Sequence, residues 1–183
     1  MFDEQEVLAG CRKGDRKMQK RLYDQYCPQM LVVCFRYSKL KSEAEDIMQE
    51  GFIKVFDHIK DFRGESPLKF WIKRIMINTA LNYHRSKLFL FPMVDVTEMK
   101  EKEIQEVKAT DFHYKDLLQM VQSLPMGCQV IFNLYAIEGY KHDEIAKMLG
   151  ISAGTSKSQY ARARRILQEK LIESEKVDYG KLS

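Results

Sequence analysis

The side chains best suited to bind a ligand lie near the C-terminal end. They belong to a segment from Ala153 to Leu171 in which apolar residues recur at the spacing of a helix. This segment has five basic residues and one acidic residue, Glu169. Ammonium and guanidinium groups neutralise phosphates, and side chains near the start of such a helix reach base edges in the major groove. The segment therefore predicts DNA binding, with an ordinary surface helix as the alternative. Its basic residues are Lys157, Arg162, Arg164, Arg165 and Lys170.

A shorter helix precedes the basic helix at the distance expected of a helix-turn-helix. Ile145, Ala146 and Leu149 have helical spacing, and Gly150 permits a tight turn because a positive φ costs glycine little. Ser152 can then cap the basic helix. We therefore predict a helix-turn-helix over about Tyr140 to Leu171. The residues of the basic helix predicted to be buried are Ser156, Tyr160, Ala163 and Leu167, and those predicted to face outward are Ser158, Ala161, Arg162 and Arg165.

A polar stripe marks a second candidate surface, on a long helix predicted from Pro67 to about Lys87. Aromatic rings stack on unpaired bases, amides bond base edges and arginines hold phosphates, so the stripe suits nucleic acid. A buried tryptophan beside an ordinary polar surface fits the spacing equally well. The stripe consists of Trp71, Arg74, Asn78, Asn82 and Arg85.

The preceding helix has a face of opposite charge. Asp46, Gln49 and Glu50 lie at positions i, i+3 and i+4 of a helix predicted from the capping pair Ser42 and Glu45. Carboxylates repel DNA, so this face suits a basic protein surface. A solvated helix face is the alternative.

Catalytic and metal-binding patterns are scarce. His142 and Glu144 do not form an H-E-x-x-H motif, and the sequence has no nucleophile constellation or phosphate loop. An enzyme is therefore a distant third reading, and we expect no cofactor. The four cysteines include no C-x-x-C pair, which disfavours zinc. They are Cys11, Cys27, Cys34 and Cys128.

Composition and periodicity predict an all-α chain in two small domains joined by a charged linker. The 183 residues are 45% hydrophobic, which suffices for packed cores, and the net charge is only +4. Acidic residues interrupt any apolar run at the N-terminus, and the apolar runs are too short for a bilayer, which predicts a protein of the cytoplasm with no membrane insertion. We place an N-terminal bundle at residues 1–87, a linker at 88–111 and a second helical domain at 112–175. A surface helix joining two halves of one domain is the alternative for the linker.

Within the N-terminal bundle, turn and cap residues divide the chain into short helices. We expect a first helix to end at Gly14 and Asp15 to cap the second. Pro28 is expected to open a third helix, with Leu31, Cys34 and Phe35 inward.

Taken together, these motifs resemble those of bacterial RNA polymerase sigma factors. Residues 44–52 match the pattern A-E-D-x-x-Q-E-x-F, and residues 70–85 are similar to the segment that follows it in the family. The match is to the small extracytoplasmic-function (ECF) group of the sigma-70 family, which keeps only the second and fourth conserved regions. The C-terminal segments with family-like residues are 124–125, 138–140, 144–146, 149–152, 154–158 and 161–164.

The resemblance implies a role for each surface. The acidic face would bind the clamp coiled coil of the largest polymerase subunit, and the loop after Asp61 would capture a base flipped from the melted minus-10 strand. The basic helix would read the minus-35 element as duplex. The residues implied are Asp46, Gln49 and Glu50 for polymerase; Arg63, Gly64, Glu65, Ser66, Trp71, Arg74 and Asn78 for minus-10 DNA; and Lys157, Ser158, Gln159, Arg162 and Arg165 for minus-35 DNA.

The same resemblance implies core RNA polymerase and promoter DNA as partners, and an anti-sigma factor for many members of the family. Ser156 departs from the family, which usually has an apolar branched residue at this position and so packs the recognition helix differently. The runner-up function is a stand-alone repressor or activator that uses the same helix-turn-helix and binds duplex DNA tightly without polymerase, usually as a dimer.

Overall fold

A computed structural model describes residues 2–88 and 114–180, and within these ranges the chain is helical and contains no strand. The predicted all-α class is confirmed. The chain divides into two compact units, Met1–Ser86 and Lys87–Ser183. The predicted linker, apart from its first residue, lies outside the described residues. The first unit contains α1 (Glu4–Arg12), α2 (Arg16–Arg36), α3 (Lys41–His58), a 3-10 turn (Ile59–Asp61) and α4 (Leu68–Leu88). The second contains α5 (Tyr114–Gln122), α6 (Met126–Phe132), a π turn (Asn133–Ile137), α7 (His142–Leu149) and α8 (Ala153–Gly180).

The first two helices begin where short acidic side chains can accept hydrogen bonds from free backbone N–H groups. Asp3 accepts from two amides at the start of α1, and Asp15 accepts from Lys17 N at 2.8 Å and Met18 N at 3.3 Å. Between them, Gly14 has a φ of 77° and turns the chain. The predicted cap and turn are therefore confirmed.

Pro28 does not open a helix, because α2 runs through it without a break. A proline inside a helix removes one backbone hydrogen bond and crowds the preceding turn. Packing on both sides of Pro28 offsets that cost, since one buried stripe continues along the whole helix. Because α2 keeps the same rotation through Pro28, its buried side does not include Leu31 and Phe35. These two residues, which were predicted to be buried, are only half-buried. The buried residues of α2 are Leu22, Tyr26, Met30, Val33 and Cys34.

The start of α3 also differs from the prediction. Glu43 accepts hydrogen bonds from Lys39 N at 2.9 Å and Leu40 N at 3.4 Å, so it caps a helix that begins at Lys41. Ser42 is already inside the first turn, and Glu45 lies near Lys41, 3.6 Å from its Nζ. Leu40 is the last extended residue before α3. The capping carboxylate lies three residues after it, so it belongs to Glu43 and not to Glu45.

Helices α3 and α4 approach closely where Gly51 faces Met76. A Cβ built on Gly51 would lie 2.3 Å from the Met76 Sδ, and Met76 is completely buried. The apolar stripe of α3 packs around this point, and the opposite side of α3 faces solvent. The buried residues on α3 and the following turn are Ala44, Ile47, Met48, Gly51, Phe52, Val55 and Ile59.

The second unit contains the predicted helix-turn-helix. α7 ends at Gly150, which adopts a φ of 70°, and Ile151 N donates to Ala146 O at 3.1 Å to close the turn. Ser152 Oγ accepts from Thr155 N at 2.9 Å and caps α8. The inner side of α8 packs against α6 through a small buried cluster of Leu124, Cys128 and Ala163.

The close approach at Gly51 predicts an unusual response to a helical Gly→Ala change. Alanine normally stabilises a helix interior by up to about 1 kcal/mol relative to glycine. In Gly51→Ala the added methyl group must displace buried Met76, and such overpacking costs about 1–3 kcal/mol. We expect a lower free energy of unfolding in urea.

Gly127→Ala in α6 is the matched control, because the nearest atom to its added Cβ, Gln159 Oε1, lies at an ordinary 3.6 Å. We expect that variant to be as stable as the wild type or more stable. A Gly51→Ala variant that gains as much stability as the control would contradict the packing described.

Candidate nucleic-acid interface

The outward side of α8 brings most of the predicted DNA-reading residues together. Lys157 and Arg165 are exposed, while Ser158 and Arg162 are half-buried at the edges of the same side. Ala161 lies exposed between them, so no bulky side chain separates the basic groups. A helix with this side outward can place side chains against base edges and phosphates at once.

The inward side of α8 is held by a polar contact that the sequence did not predict. Ser156 is completely buried, as predicted, and its Oγ lies 2.9 Å from the Nδ1 of His142 at the start of α7. The His142 ring stacks on Tyr135, with centroids 4.2 Å apart and an interplanar angle of 12°. The contact between His142 and Ser156 therefore joins the two helices of the helix-turn-helix through polar side chains.

The environment of His142 favours its neutral form. Burial and the Lys157 ammonium lower the pKa of His142 from its ordinary value of 6.5, while Asp143 acts in the opposite direction.

Gln159 lies apart from the other predicted DNA-reading residues. Its Oε1 accepts a hydrogen bond from the Cys128 thiol at 3.0 Å, which turns this end of the side chain toward α6. Helical geometry explains the difference, because position 159 falls on the side of α8 that also contains Ser156 and Ala163. The amide thus connects the recognition helix to its support.

In the first unit, the loop between the 3-10 turn and α4 is well placed to meet a ligand. Residues 63–65 are exposed and Ser66 is half-buried, and Gly64 has a φ of 75°, which reverses the chain direction. Pro67 O accepts from Phe70 N at 2.9 Å and Trp71 N at 3.3 Å, so the end of the loop is tied to the first turn of α4.

Trp71 combines the two alternatives raised by the sequence, a buried tryptophan and a ring that is available to stack on a base. One side of its ring packs on buried Phe62, with centroids 5.3 Å apart, yet the residue remains half-buried and not fully enclosed. Arg74 and Asn78 follow it on the exposed side of α4, as does Asn82. The side chain of Arg85 lies outside the described residues.

Phe70 is a candidate that sequence reasoning missed. It is 54% exposed, next to Trp71 and one helical turn before Arg74. A ring beside an arginine provides a stacking surface for a base. Phe70 lies outside the predicted polar stripe, because it does not share the helical spacing of Trp71, Arg74 and Asn78.

The acidic face of α3 is exposed, as its spacing predicts. Asp46, Gln49 and Glu50 all face solvent, and Glu50 Oε1 pairs with Lys54 Nζ at 2.5 Å. Ile53, three residues after Glu50, is 61% exposed on the same face and was also missed. The acidic face therefore combines carboxylates with apolar area, and protein interfaces contain both kinds of surface.

Other kinds of site find little support in the part of the chain that the structure describes. No cluster of three or more potential metal ligands occurs among those residues. All four cysteines are free thiols, and burial raises the pKa of Cys34 to about 12. In the same ranges, no helix has both the length and the apolar character needed to cross a membrane.

Both units match models of known protein families. Residues 22–88 match Sigma-70 region 2, and residues 114–167 match Sigma-70, region 4. The first match contains the acidic face, the exposed loop and Trp71, and the second contains α7, the turn and α8 as far as residue 167.

Curated relatives match nearly the whole chain. The ECF RNA polymerase sigma-E factor of Haemophilus influenzae is 26% identical over 180 residues, covering 92% of this chain and 95% of that protein. The RNA polymerase sigma-H factor of Pseudomonas aeruginosa is 28% identical over 186 residues, covering 92% of this chain and 93% of the relative.

Solved structures share the fold. The sigma factor RpoE in complex with the anti-sigma factor NepR from Bartonella quintana matches with a TM-score of 0.52 and 23% identity, covering 83% of this chain and 95% of that one. CnrH in complex with the cytosolic domain of CnrY matches with a TM-score of 0.50 and 18% identity, covering 93% and 97%.

Two helical units, one with a helix-turn-helix and one with an exposed loop beside a tryptophan, define a transcription initiation factor of bacterial type. The chain belongs to the ECF group of the sigma-70 family. It is a sigma factor that binds core RNA polymerase and directs promoter-specific initiation of transcription. Proteins of this family are non-catalytic initiation factors.

The His142–Ser156 contact predicts that the stability of the second unit depends on pH. The unfolded chain takes up a proton on this histidine more easily than the folded chain, because the folded pKa lies below 6.5. The neutral form therefore contributes its full stability above pH 6.5, and this contribution decreases as the pH falls through that value. The non-titrating variant His142→Gln should lose less stability than the wild type between neutral and mildly acidic pH.

Urea unfolding followed by circular dichroism measures the difference. Ala161→Gln provides the control, since it adds the same amide to the exposed side of α8, removes no titrating group and should retain the pH dependence of the wild type. Equal pH dependence in His142→Gln and the wild type would show that the surroundings of His142 do not hold it in the neutral form.

Proposed function

We propose that this sigma factor divides promoter recognition between its two units. Residues 1–87 would hold core polymerase and the melted minus-10 strand, and residues 112–175 would read the minus-35 duplex, with residues 88–111 as the linker. The outward basic side of α8 supports the assignment most strongly, because Ser156 and Ala163 on the opposite side are buried and fix the rotation of the helix.

The minus-35 contact would be made by the basic side of α8. Lys157, Ser158 and Arg162 lie in the first half of the helix, where side chains reach base edges, and Arg165 lies farther along, where phosphates pass. Gln159 would act by bonding to Cys128 and so fixing the rotation of the helix. In this arrangement a few side chains read the bases, and the positive charge of the helix provides affinity for the phosphates.

The minus-10 contact would be made by the exposed loop and the start of α4. Taking a base out of the stack costs a few kcal/mol, which a pocket and a stacking surface must offset. Trp71 and Phe70 provide ring surface, and Arg74 and Asn78 provide phosphate and base contacts. The pocket itself would be formed by Arg63, Gly64, Glu65 and Ser66.

Core polymerase would bind the acidic face of α3. Asp46 and Glu50 favour a basic partner surface, and Ile53 adds apolar area that is released from water on binding. The ion pair between Glu50 and Lys54 is exposed and therefore weak, so exchanging it for a polymerase residue costs little.

The remaining assignments follow from the family. We propose that the protein acts in the cytoplasm, performs no catalysis and uses no cofactor. The two solved structures described above are complexes in which the second protein is an anti-sigma factor or a cytosolic domain of another protein. A regulatory protein of the anti-sigma kind is accordingly proposed as a further partner.

Comparing DNA binding with and without core polymerase tests the division of labour. The free protein should bind promoter duplex weakly and lose that binding as salt rises, whereas the complex with core should bind tightly and open the DNA. Tight, sequence-specific binding by the free protein, unchanged by core, would favour the stand-alone regulator instead.

Arg162 should discriminate between bases in the minus-35 element. Replacing Arg162 with alanine should cost about 1–3 kcal/mol of promoter binding by the polymerase complex and relax the preference at one base pair. Equilibrium binding to promoters with each minus-35 base pair changed in turn measures both effects.

Arg164→Ala is the matched control, because this guanidinium lies 5.9 Å from the centre of the Tyr160 ring, at the flank of the outward side of α8. Its loss should weaken all sequences about equally. Should Arg162→Ala also weaken all sequences equally, Arg162 contacts phosphate and not a base.

Asp46 should be required for polymerase binding and not for folding. Asp46→Arg reverses the charge at the centre of an exposed face, so the variant should lose core binding while its helical content and thermal unfolding stay unchanged. Co-purification with core polymerase and circular dichroism measure the two properties.

Asp24→Arg makes the same charge change on α2, where the exposed Asp24 pairs with Lys20 of the same helix. That control should bind core normally. Normal core affinity in Asp46→Arg would reject the acidic face as the polymerase contact.

A further inference from the structure

A long-range hydrogen bond connects the end of α1 to the start of the exposed loop. The Nη2 of Arg12 donates to Phe62 O at 2.6 Å, although the two residues are 50 positions apart. Arg12 is the last residue of α1, and Phe62 is the first residue after the 3-10 turn.

The carbonyl of Phe62 is a good acceptor for a charged donor. Phe62 N donates to Ile59 O at 3.4 Å and ends the 3-10 turn, and carbonyls at such an end have no partner within the turn. A cation next to them also complements the partial negative charge of the helix end. A bond from a guanidinium is stronger than one between neutral groups, and this one is partly screened from water.

Phe62 also determines where Trp71 lies. The Phe62 ring is only 7% exposed and packs against Trp71, so the residue held by Arg12 through its backbone supports the tryptophan through its side chain. The other end of the loop is held by Pro67 O, which bonds to the first turn of α4. Residues 63–66 therefore span two fixed points, and Arg12 provides one of them.

We propose that Arg12 is a positioning residue for the minus-10 element. It contacts neither base nor phosphate in this proposal, but it fixes the first peptide of the loop and, through Phe62, the orientation of Trp71. Arg12 precedes residues 22–88, which match Sigma-70 region 2, so the family match does not assign it a role. The inference rests on the proposed minus-10 function of the loop.

A merely structural Arg12 would stabilise the bundle without affecting selectivity, so the test must measure selectivity. The full-length protein in complex with core polymerase is assayed for promoter opening, by permanganate reactivity, on the best minus-10 sequence and on templates with each base changed. Arg12→Met keeps most of the aliphatic stem and removes the donors. We expect the ratio of opening between the best and the substituted templates to fall about tenfold, as for a lost charge-assisted bond. Core affinity and minus-35 binding should stay unchanged.

Arg12→Lys should restore part of the ratio, since an ammonium can make one such bond but lacks the planar fork of the guanidinium. Lys13→Ala removes a neighbouring exposed positive charge and should leave the ratio unchanged. In the free protein, fluorescence reports on the same site, because the chain has one tryptophan, Trp71. Its emission should change in Arg12→Met and not in Lys13→Ala.

The outcomes separate this inference from the proposed function beneath it. If Glu65→Ala and Ser66→Ala change selectivity but Arg12→Met does not, Arg12 has no positioning role. If the loop variants also leave selectivity unchanged, the loop does not read the minus-10 element and the proposed function fails. Loss of the fold in both Arg12→Met and Arg12→Lys would overturn the inference too, because it would show that Arg12 supports the bundle as a whole.

Discussion

The burial of one side of each helix is the constraint on which the rest of this structure depends. A helix that buries a stripe of side chains has its rotation fixed, and the side chains opposite that stripe are then directed to solvent together. α3 buries Ala44, Ile47 and Phe52 and so exposes Asp46 and Glu50. α8 buries Ser156 and Ala163 and so exposes Lys157 and Arg165. Charged side chains on these surfaces are well solvated in water, so exposing them costs little free energy. They contribute to binding when a partner of opposite charge approaches.

Local contacts refine this arrangement at the places where packing alone would be loose. The His142–Ser156 bond and the Cys128–Gln159 bond both connect α8 to the helices that support it. Both involve polar groups in a mostly apolar setting, where a hydrogen bond has a more directional effect than van der Waals packing. The loop of the first unit is held in a similar manner, with polar bonds at both ends and an exposed middle. Such a loop can be accurate in position and still have its own side chains available to a ligand.

Much of the fold could be predicted, because its signals are local. Asp15 and Ser152 cap helices through neighbours two or three residues away, and Gly150 turns the chain through its own φ. The errors have local causes as well: Pro28 looked like a helix start because the sequence does not show the packing that carries α2 through it, and Glu43, not Glu45, caps α3. Contacts between distant segments could not be predicted from spacing. Arg12 with Phe62 and His142 with Ser156 are examples, and both depend on how helices meet in three dimensions.

The central claim is that two different forms of promoter DNA are read by two different units of one chain. Transcription of fragmented genomic DNA by purified core polymerase and this protein, with the RNA 5′ ends mapped, tests it most directly. The account predicts that initiation is confined to sites that share two upstream sequence elements at a constant separation. It also predicts that permanganate detects melted thymines at the element nearer the start site and not at the farther one. Two results would contradict the reading of DNA by two units. One is initiation that is no more frequent than with core polymerase alone, and the other is a set of start sites that share a single element.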